Sequence, residues 1–200
     1  MIIYGAGSLG KIILAELISD QFPYGDVIFF DENTGLPDYL YNKFRVIKTV
    51  EELSELIQSG EKHFIPAIGH PRLREKAVRK IEQLGGELIS VISSESFISK
   101  LNFNTFEGLF APRWSGISHD TKIGKSCILH HYSGIGHDAE IGNFVTVSTD
   151  VQIGSFTTVG DYSFIGNCAV LYPHINIGQC VIISAGAVVK NDVPDFSSIT

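Results

Sequence analysis

The chain has 200 residues, of which 44% are hydrophobic and 18% charged, so it can build a core and is not a disordered tail. Its 22 acidic and 15 basic residues give a net charge of −7 without a basic cluster, and we therefore expect no nucleic-acid partner. No apolar run approaches the ~20 residues that span a bilayer, and the N-terminus lacks a basic start and a cleavage site, so we expect a cytoplasmic protein without a membrane partner.

The first half of the chain, residues 1–95, alternates short apolar runs with helical patterns. This alternation is typical of βαβ units around a parallel sheet and predicts a Rossmann-like α/β domain. In chain order the pattern predicts strands at 2–4, 27–30, 64–68 and 88–92, and helices at 8–18, 49–57 and 72–84. Thr49 and Glu52 have the spacing of a capping box, which indicates where the second helix begins.

A glycine motif joins the first strand to the first helix. Gly5, Gly7 and Gly10 have the GxGxxG spacing, and in this context the backbone N–H groups of a helix N-terminus can hold a pyrophosphate. Asp31 ends the second strand, near the spacing at which an acid accepts ribose hydroxyls. The first half of the chain is short for a dinucleotide-binding domain and fits a mononucleotide better than NAD. An NAD-dependent oxidoreductase and a glycine turn that serves only packing are the alternatives.

The second half follows a six-residue repeat. Thirteen aliphatic residues occur at this spacing without a miss, at positions 117, 123, 129, 135, 141, 147, 153, 159, 165, 171, 177, 183 and 189. The next residue is Gly or Ser in ten of the thirteen hexads, and we expect it to permit a positive φ or a tight approach at a bend. The residue four places after each aliphatic is small or β-branched.

This spacing predicts a stack of short strands and bends. If three bends close a turn, one coil uses eighteen residues, and residues eighteen apart lie at the ~4.8 Å spacing of adjacent strands. The pattern resembles the left-handed parallel β-helix of acyltransferases. We assign it to residues 105–200, with residues 93–104 as the linker and 106–114 as an imperfect first coil.

The chain as a whole resembles the sugar O- and N-acyltransferases that modify sialic acid or nucleotide-activated amino sugars. The resemblance rests on four motifs: Gly-Ala-Gly-Ser-Leu-Gly at 5–10, Phe-Asp-Glu-Asn at 30–33, Ala-Ile-Gly at 67–69 with Arg72 and Arg74, and Ile-Gly-His-Asp-Ala-Glu-Ile-Gly at 135–142. It implies an acetyl-CoA-dependent acetyltransferase that acts on an amino or hydroxyl group. It also implies a homotrimer whose active sites lie between the β-helices of neighbouring subunits.

The resemblance also assigns residues. Its nucleotide contacts, to uridine in this family, fall on Gly7, Ser8, Asp31 and Gly69. A backbone N–H near Gly154 or Ser155 is expected to stabilise the oxyanion. The corner that contains Ala185 and Gly186 is expected to face the pantetheine arm of coenzyme A, since glycine-rich corners leave room for it.

His137 lies at the family's catalytic histidine and is the predicted general base, because imidazole titrates near neutrality. The family often has Glu directly before this residue, whereas this chain has Gly136. Asp138, Glu140 or a backbone carbonyl could orient the ring instead, and Asp138 could equally be an ordinary turn residue. The simpler interpretation of His137 is an exposed surface histidine.

The other histidines leave more alternatives. His119 and Asp120 precede His137 and Asp138 by eighteen residues and should stack on them. His130 replaces a residue that is commonly Asn in the family, and it could bind substrate or be structural. His174 is predicted at the surface.

Two different functions compete with acyl transfer. A zinc enzyme similar to the γ-class carbonic anhydrases would need a third histidine beside His119 and His137, and none has an evident place. Cys127, Cys168 and Cys180 form no CxxC pair and predict reduced thiols, so the sequence predicts no metal site. A non-catalytic nucleotide-binding scaffold is the second alternative, suggested by Gly136.

Overall fold

The structure is a computed structural model that describes residues 1–22, 26–102 and 104–200. The chain divides into two compact units, Met1–Val91 and Ile92–Thr200.

The N-terminal unit is a parallel sheet with one antiparallel edge strand. Its three helices are Ser8–Ser19, Val50–Gln58 and Pro71–Gln83. Across the sheet the strands run in the order Tyr39–Leu40, Phe44–Ile47, Ile28–Phe30, Ile2–Tyr4, His63–Pro66 and Glu87–Leu88. Ile2–Tyr4 pairs in parallel with a strand on each side, so the chain reverses its direction of winding here. Ligands of open α/β sheets bind beside such a reversal.

The helices begin where local chemistry predicts. Thr49 caps the second helix by accepting the Glu52 N–H on its hydroxyl at 3.2 Å. Pro71 starts the third helix, where its missing N–H costs nothing. The first helix has no side-chain cap at Gly7, so its terminal N–H groups are not satisfied by the capping residue itself.

Two features of this unit differ from the sequence-based prediction. The hairpin Tyr39–Leu40 and Phe44–Ile47 was not predicted, because its turn uses Tyr41 and Asn42 at φ 51° and 52° instead of a recognisable Asn-Gly pair. The single strand predicted at 88–92 is wrong. Glu87–Leu88 pairs within the N-terminal sheet, whereas Val91–Ile92 belongs to a sheet of the second unit. An apolar run does not reveal which sheet it joins.

The second unit is a three-sided prism of two-residue parallel strands. The first sheet contains Phe97–Ile98, Gly116–Ile117, Gly134–Ile135, Gln152–Ile153, Val170–Leu171 and Val188–Val189. The second sheet contains Lys122–Ile123, Glu140–Ile141, Thr158–Val159 and Asn176–Ile177. The third sheet contains Val91–Ile92, Phe110–Ala111, Ile128–Leu129, Thr146–Val147, Phe164–Ile165, Ile182–Ile183 and Ser198–Ile199.

The register confirms the eighteen-residue coil. Ile117 pairs with Ile135 and Ile135 with Ile153, and the other two sheets also step by eighteen residues within the repeat. The terminal strands Phe97–Ile98 and Ser198–Ile199 instead pair at separations of 19 and 16 residues. All thirteen repeat aliphatics are buried in one core that runs along the prism. The predicted fold class, an α/β N-terminal part followed by a parallel β-helix of hexapeptide repeats, is therefore confirmed.

The positive φ of each bend does not fall on the residue directly after the repeat aliphatic, where the sequence analysis expected Gly to supply it. The left-handed backbone falls two residues later, at Asp138 (φ 55°) for the hexad of Ile135. Gly136 is needed because successive coils approach each other closely here: a Cβ on it would lie 2.6 Å from the Ser155 nitrogen of the next coil.

The prism begins earlier than the predicted residue 105. Phe97–Ile98 already pairs with Gly116–Ile117, and Ile98 packs against the core. Phe97–Ile98 lies within the segment that the sequence analysis assigned to the linker, because Ile98 precedes its partner Ile117 by nineteen residues and so falls outside the six-residue frame.

Candidate functional site

The predicted nucleotide contacts of the N-terminal unit gather at one edge of its sheet. Gly7 and Ser8 follow the strand Ile2–Tyr4, Asp31 follows Ile28–Phe30, and Gly69 follows His63–Pro66. Because these three strands are parallel neighbours, their carboxyl ends meet. Gly7 and Ser8 are exposed, and a Cβ on Gly7 or Gly69 would meet nothing within 4 Å, so a ligand can approach the backbone there.

Asp31 organises this edge. One of its carboxylate oxygens accepts the Ala6 N–H at 2.9 Å and the other accepts the Asn33 N–H at 3.0 Å. Gly10 permits the loop's tight turn, since a Cβ there would lie 2.1 Å from the Gly5 carbonyl oxygen. Asp31 therefore holds the loop in shape, a role that the sequence analysis did not predict.

Two further side chains brace the same edge. Arg74 is fully buried and donates to the carbonyl oxygens of Ile68 and Gly69, both at 2.9 Å, which fixes the loop after the third parallel strand. Glu32 accepts from the Tyr4 hydroxyl at 2.9 Å and pairs with Lys80 at 2.7 Å. The hydrogen bond from Lys80 lowers the pKa of Glu32, whereas burial, followed by the Glu32 contact, raises the pKa of Tyr4.

The histidine corner of the prism, defined as the bends 118–121, 136–139, 154–157 and 172–175, contains the predicted base. His137 Nδ1 lies 2.8 Å from Asp138 Oδ2. His119 repeats the arrangement one coil earlier, with its Nδ1 2.8 Å from Asp120 Oδ2. The two rings stack with centroids 4.9 Å apart and planes within 7°, as the spacing of the pairs predicted.

The neighbours of His137 fix its orientation. Phe156 packs its ring edge-on at 5.2 Å on the side opposite His119, and exposed His174 stacks on Phe156 at 4.8 Å. Glu140 does not reach the ring but pairs with Lys122 at 2.6 Å, so Asp138 is the carboxylate that contacts His137. The His137 side chain remains 40% exposed.

The two expected oxyanion donors have different environments. The Gly154 N–H donates to the Leu171 carbonyl oxygen at 2.9 Å and is therefore already engaged in the strand ladder. Ser155 follows it and lies one coil beyond His137. Within the described part of the chain, the Ser155 N–H donates to no backbone acceptor.

The remaining predicted residues lie on another edge of the prism. The aromatic corner consists of the bends 112–115, 130–133, 148–151, 166–169 and 184–187, and it contains His130, Ala185 and Gly186. Within one chain these residues are separated from His137 by the first sheet. Ala185 and Gly186 are exposed, and His130 is partly buried.

The structure also bears on metals, thiols and membranes. Within residues 1–22, 26–102 and 104–200, no group of three His, Cys, Asp or Glu side chains could hold a metal ion. None of Cys127, Cys168 and Cys180 forms a disulfide. No helix in the described part of the chain is long and apolar enough to cross a membrane, and the cytoplasmic location remains a prediction.

A Rossmann-like unit followed by a hexapeptide prism, with an exposed His–Asp pair at one corner, is the architecture that the resemblance to the sugar acyltransferases implied. Comparison with family models gives a match over residues 1–81 to the PglD N-terminal domain. The comparison with curated proteins gives no match.

Solved structures match over almost the whole chain. A variant of GDP-perosamine N-acetyltransferase from Caulobacter crescentus is 25% identical with a TM-score of 0.90, over 98% of this chain and 91% of that one. The acetyltransferase domain of PglB from Neisseria gonorrhoeae is 25% identical with a TM-score of 0.89, over 98% and 94%. WeeI from Acinetobacter baumannii is 27% identical with a TM-score of 0.81, over 98% and 94%. These matches confirm the predicted resemblance and the prediction of an acyltransferase.

Proposed function

We propose that the protein transfers the acetyl group of acetyl-CoA to the amino group of a nucleotide-linked amino sugar, with His137 as general base. The observation that carries this proposal is the His137–Asp138 contact at 2.8 Å on an exposed corner, one coil from the Ser155 N–H. The structure of the Caulobacter enzyme was determined with CoA and GDP-perosamine, and that of the PglB domain with acetyl coenzyme A. Acetyl-CoA is accordingly the acyl donor.

The geometry suits His137 to accept a proton. A neutral imidazole contacts a carboxylate by donating one N–H, here from Nδ1, so Nε2 carries the lone pair. Nε2 takes the proton of the sugar amine as the amine nitrogen attacks the thioester carbonyl carbon. The new C–N bond forms, the C–S bond breaks, and the proton passes from His137 to the departing thiolate.

Ser155 stabilises the charge that develops on the carbonyl oxygen. Its N–H lies in the coil next to His137, and it is not used in the strand ladder. A backbone donor fixed by the prism costs no reorganisation during the reaction, which is why such donors are effective in acyl transfer.

The N-terminal unit binds the nucleotide of the acceptor. The exposed N–H groups at Gly7 and Ser8 face an edge where neither Gly7 nor Gly69 presents a side chain, which suits a pyrophosphate. Asp31 maintains this loop. Coenzyme A is held in part by Ala185 and Gly186, and these residues meet His137 only if a second copy supplies them, since one chain places them on different corners.

Thiol release from acetyl-CoA against a panel of UDP- and GDP-linked amino sugars, with sialic acid as the hydroxyl acceptor, tests the proposal. His137→Ala should lose ~10² to 10⁴ in kcat with little change in KM, as expected for a general base. His119→Ala, with the same exposure and its own carboxylate, is the matched control and should have a milder effect.

An active wild type that is indifferent to His137→Ala would exclude histidine base catalysis at this corner. Nucleotide binding without thiol release from any acceptor would favour the non-catalytic scaffold.

A further inference from the structure

At one corner of the prism, side chains of the following coil accept backbone N–H groups of the bends. This third corner consists of the bends 124–127, 142–145, 160–163 and 178–181. The Asn143 side chain accepts the Lys125 N–H at 2.9 Å, and Asp161 accepts the Asn143 N–H at 2.7 Å. Asp195 accepts the Gln179 N–H at 2.9 Å. In each case the donor is the second residue after a repeat aliphatic, and an Asn or Asp of the next coil is the acceptor.

On the histidine corner the same two places are taken by Ser155 and Pro173. The backbone geometry is equivalent at the two corners. A Cβ added to Gly142 would lie 2.7 Å from the Asp161 nitrogen of the next coil, and a Cβ added to Gly154 would clash with the Pro173 nitrogen in the same way. Pro173 therefore stands one coil beyond Ser155, in the place from which Asp161 offers its carboxylate.

Proline has no side-chain acceptor to offer from this place. Within residues 1–22, 26–102 and 104–200, neither a backbone nor a side-chain oxygen accepts the Ser155 N–H. Pro173 is exposed and Ser155 is only partly buried. The N–H of Ser155 is therefore available to a ligand.

The Ser155 backbone lies directly beside the bend of the base. A Cβ on Gly136 would lie 2.6 Å from the Ser155 nitrogen and 2.8 Å from its hydroxyl oxygen. The next residue, Phe156, donates its N–H to the His137 carbonyl oxygen at 3.0 Å, and its ring lies 5.2 Å from the imidazole. The open N–H and the imidazole thus belong to neighbouring coils that are held together by direct contacts.

We propose that Pro173 is a positioning residue that keeps the oxyanion donor Ser155 open, and this inference rests on the proposed function. An Asn or Asp at position 173 would accept the Ser155 N–H, as Asp161 accepts the Asn143 N–H. The thioester carbonyl oxygen would then compete with an internal acceptor. With Pro173 no internal hydrogen bond has to break when charge develops on that oxygen, and a donor already fixed and unpaired stabilises it best.

The test introduces the missing acceptor. Pro173→Asp should lower kcat of thiol release roughly 10²-fold, the loss expected for one oxyanion donor, with the KM of both substrates little changed. Pro173→Asn supplies an uncharged acceptor and should lower kcat in the same direction but less. Pro173→Leu supplies no acceptor and should retain most of the activity. Circular dichroism checks that each variant folds, and Pro173→Asn decides the outcome if Pro173→Asp does not fold.

The matched control separates the acceptor from its charge. Asn191→Asp adds the same charge at an exposed position of the next bend, where Pro173 one coil earlier has no N–H to donate. It should leave kcat and both KM values unchanged.

Hydrogen exchange of the Ser155 amide, followed by NMR, provides a readout that does not depend on turnover. The amide should exchange rapidly in wild type and in Pro173→Leu, and more slowly in Pro173→Asp and Pro173→Asn. A role of Pro173 in bend geometry alone would not produce this difference between the Leu and the Asp variants.

The proposal is overturned if Pro173→Leu loses as much activity as Pro173→Asp, or if Asn191→Asp causes the same loss. It is also overturned if the Ser155 amide becomes protected in Pro173→Asp while kcat stays at the wild-type value, since Ser155 would then not be the donor. Failure of the proposed base has a different signature, an active enzyme that tolerates His137→Ala, and it leaves the comparison among the Pro173 variants intact.

Discussion

At the residue scale, the carboxylate beside the predicted base lies after the histidine and not before it. Position 136 accepts no side chain on the present backbone, because a Cβ would lie 2.6 Å from the Ser155 nitrogen. Asp138 follows His137 at φ 55°, a left-handed conformation that Asp tolerates better than most residues. The sequence left two interpretations open for Asp138, a turn residue and a carboxylate that orients His137. The structure allows Asp138 to be both.

Asp138→Asn should lower kcat roughly 10- to 100-fold, the usual effect of removing a partner that orients a reactive ligand or base. The amide keeps the size of the carboxylate but loses the charge that favours the Nδ1–H form of His137. Steady-state thiol release measures the effect. Asp120→Asn makes the same change beside His119 and should cost little, so equal losses in the two variants would show that the corner acts as a whole.

At the scale of elements, the nucleotide edge depends on contacts between loops of neighbouring strands. Asp31 links the loop after one strand to the glycine loop after the next, and Arg74 ties the third loop to its helix. The sequence motif identifies the glycine loop. It does not show that the acid after the second strand accepts two backbone N–H groups.

Asp31→Ala should weaken binding of a nucleoside diphosphate at least several-fold, because the glycine loop loses an acceptor that fixes its shape. Calorimetry with UDP, GDP and NAD measures the effect and the preference. We expect a uridine nucleotide to bind better than NAD. Asp38→Ala is the control, since Asp38 pairs with Lys48 away from the glycine loop. Equal or tighter NAD binding would contradict the assignment to a mononucleotide.

At the scale of the whole molecule, the corners separate residues that the proposed reaction needs together. His137 lies on the histidine corner, whereas Ala185 and Gly186 lie on the aromatic corner. Exposed apolar side chains also remain on the prism, among them Phe156, Ile182 and Val188. A symmetric assembly would cover such surface and bring unlike corners together.

We therefore expect a homotrimer, with about three times the 21.9 kDa chain mass in light scattering at micromolar concentration. Mixing His137→Ala chains with chains altered at the coenzyme A corner, such as Gly186→Trp, should restore part of the activity that each lacks alone. A monomer throughout the micromolar range would contradict an active site between subunits.

The repeat determined the prism from the sequence alone. An aliphatic every sixth residue can be buried only if each coil stacks on the next, and such nearest-neighbour contacts repeat along the chain as the sequence does. For the same reason the stacking of His119 on His137 could be predicted from their separation of eighteen residues. The helices of the N-terminal unit were predictable from their periodicity, and the second also from its Thr49 cap.

The tertiary structure decided what depends on contacts between residues without a fixed spacing. It assigned Val91–Ile92 to the prism, engaged the Gly154 N–H in the strand ladder, and used both carboxylate oxygens of Asp31 within the loops. Hydrogen-bond partners and the direction in which a side chain leaves a bend follow from backbone geometry in three dimensions, which a linear pattern does not contain.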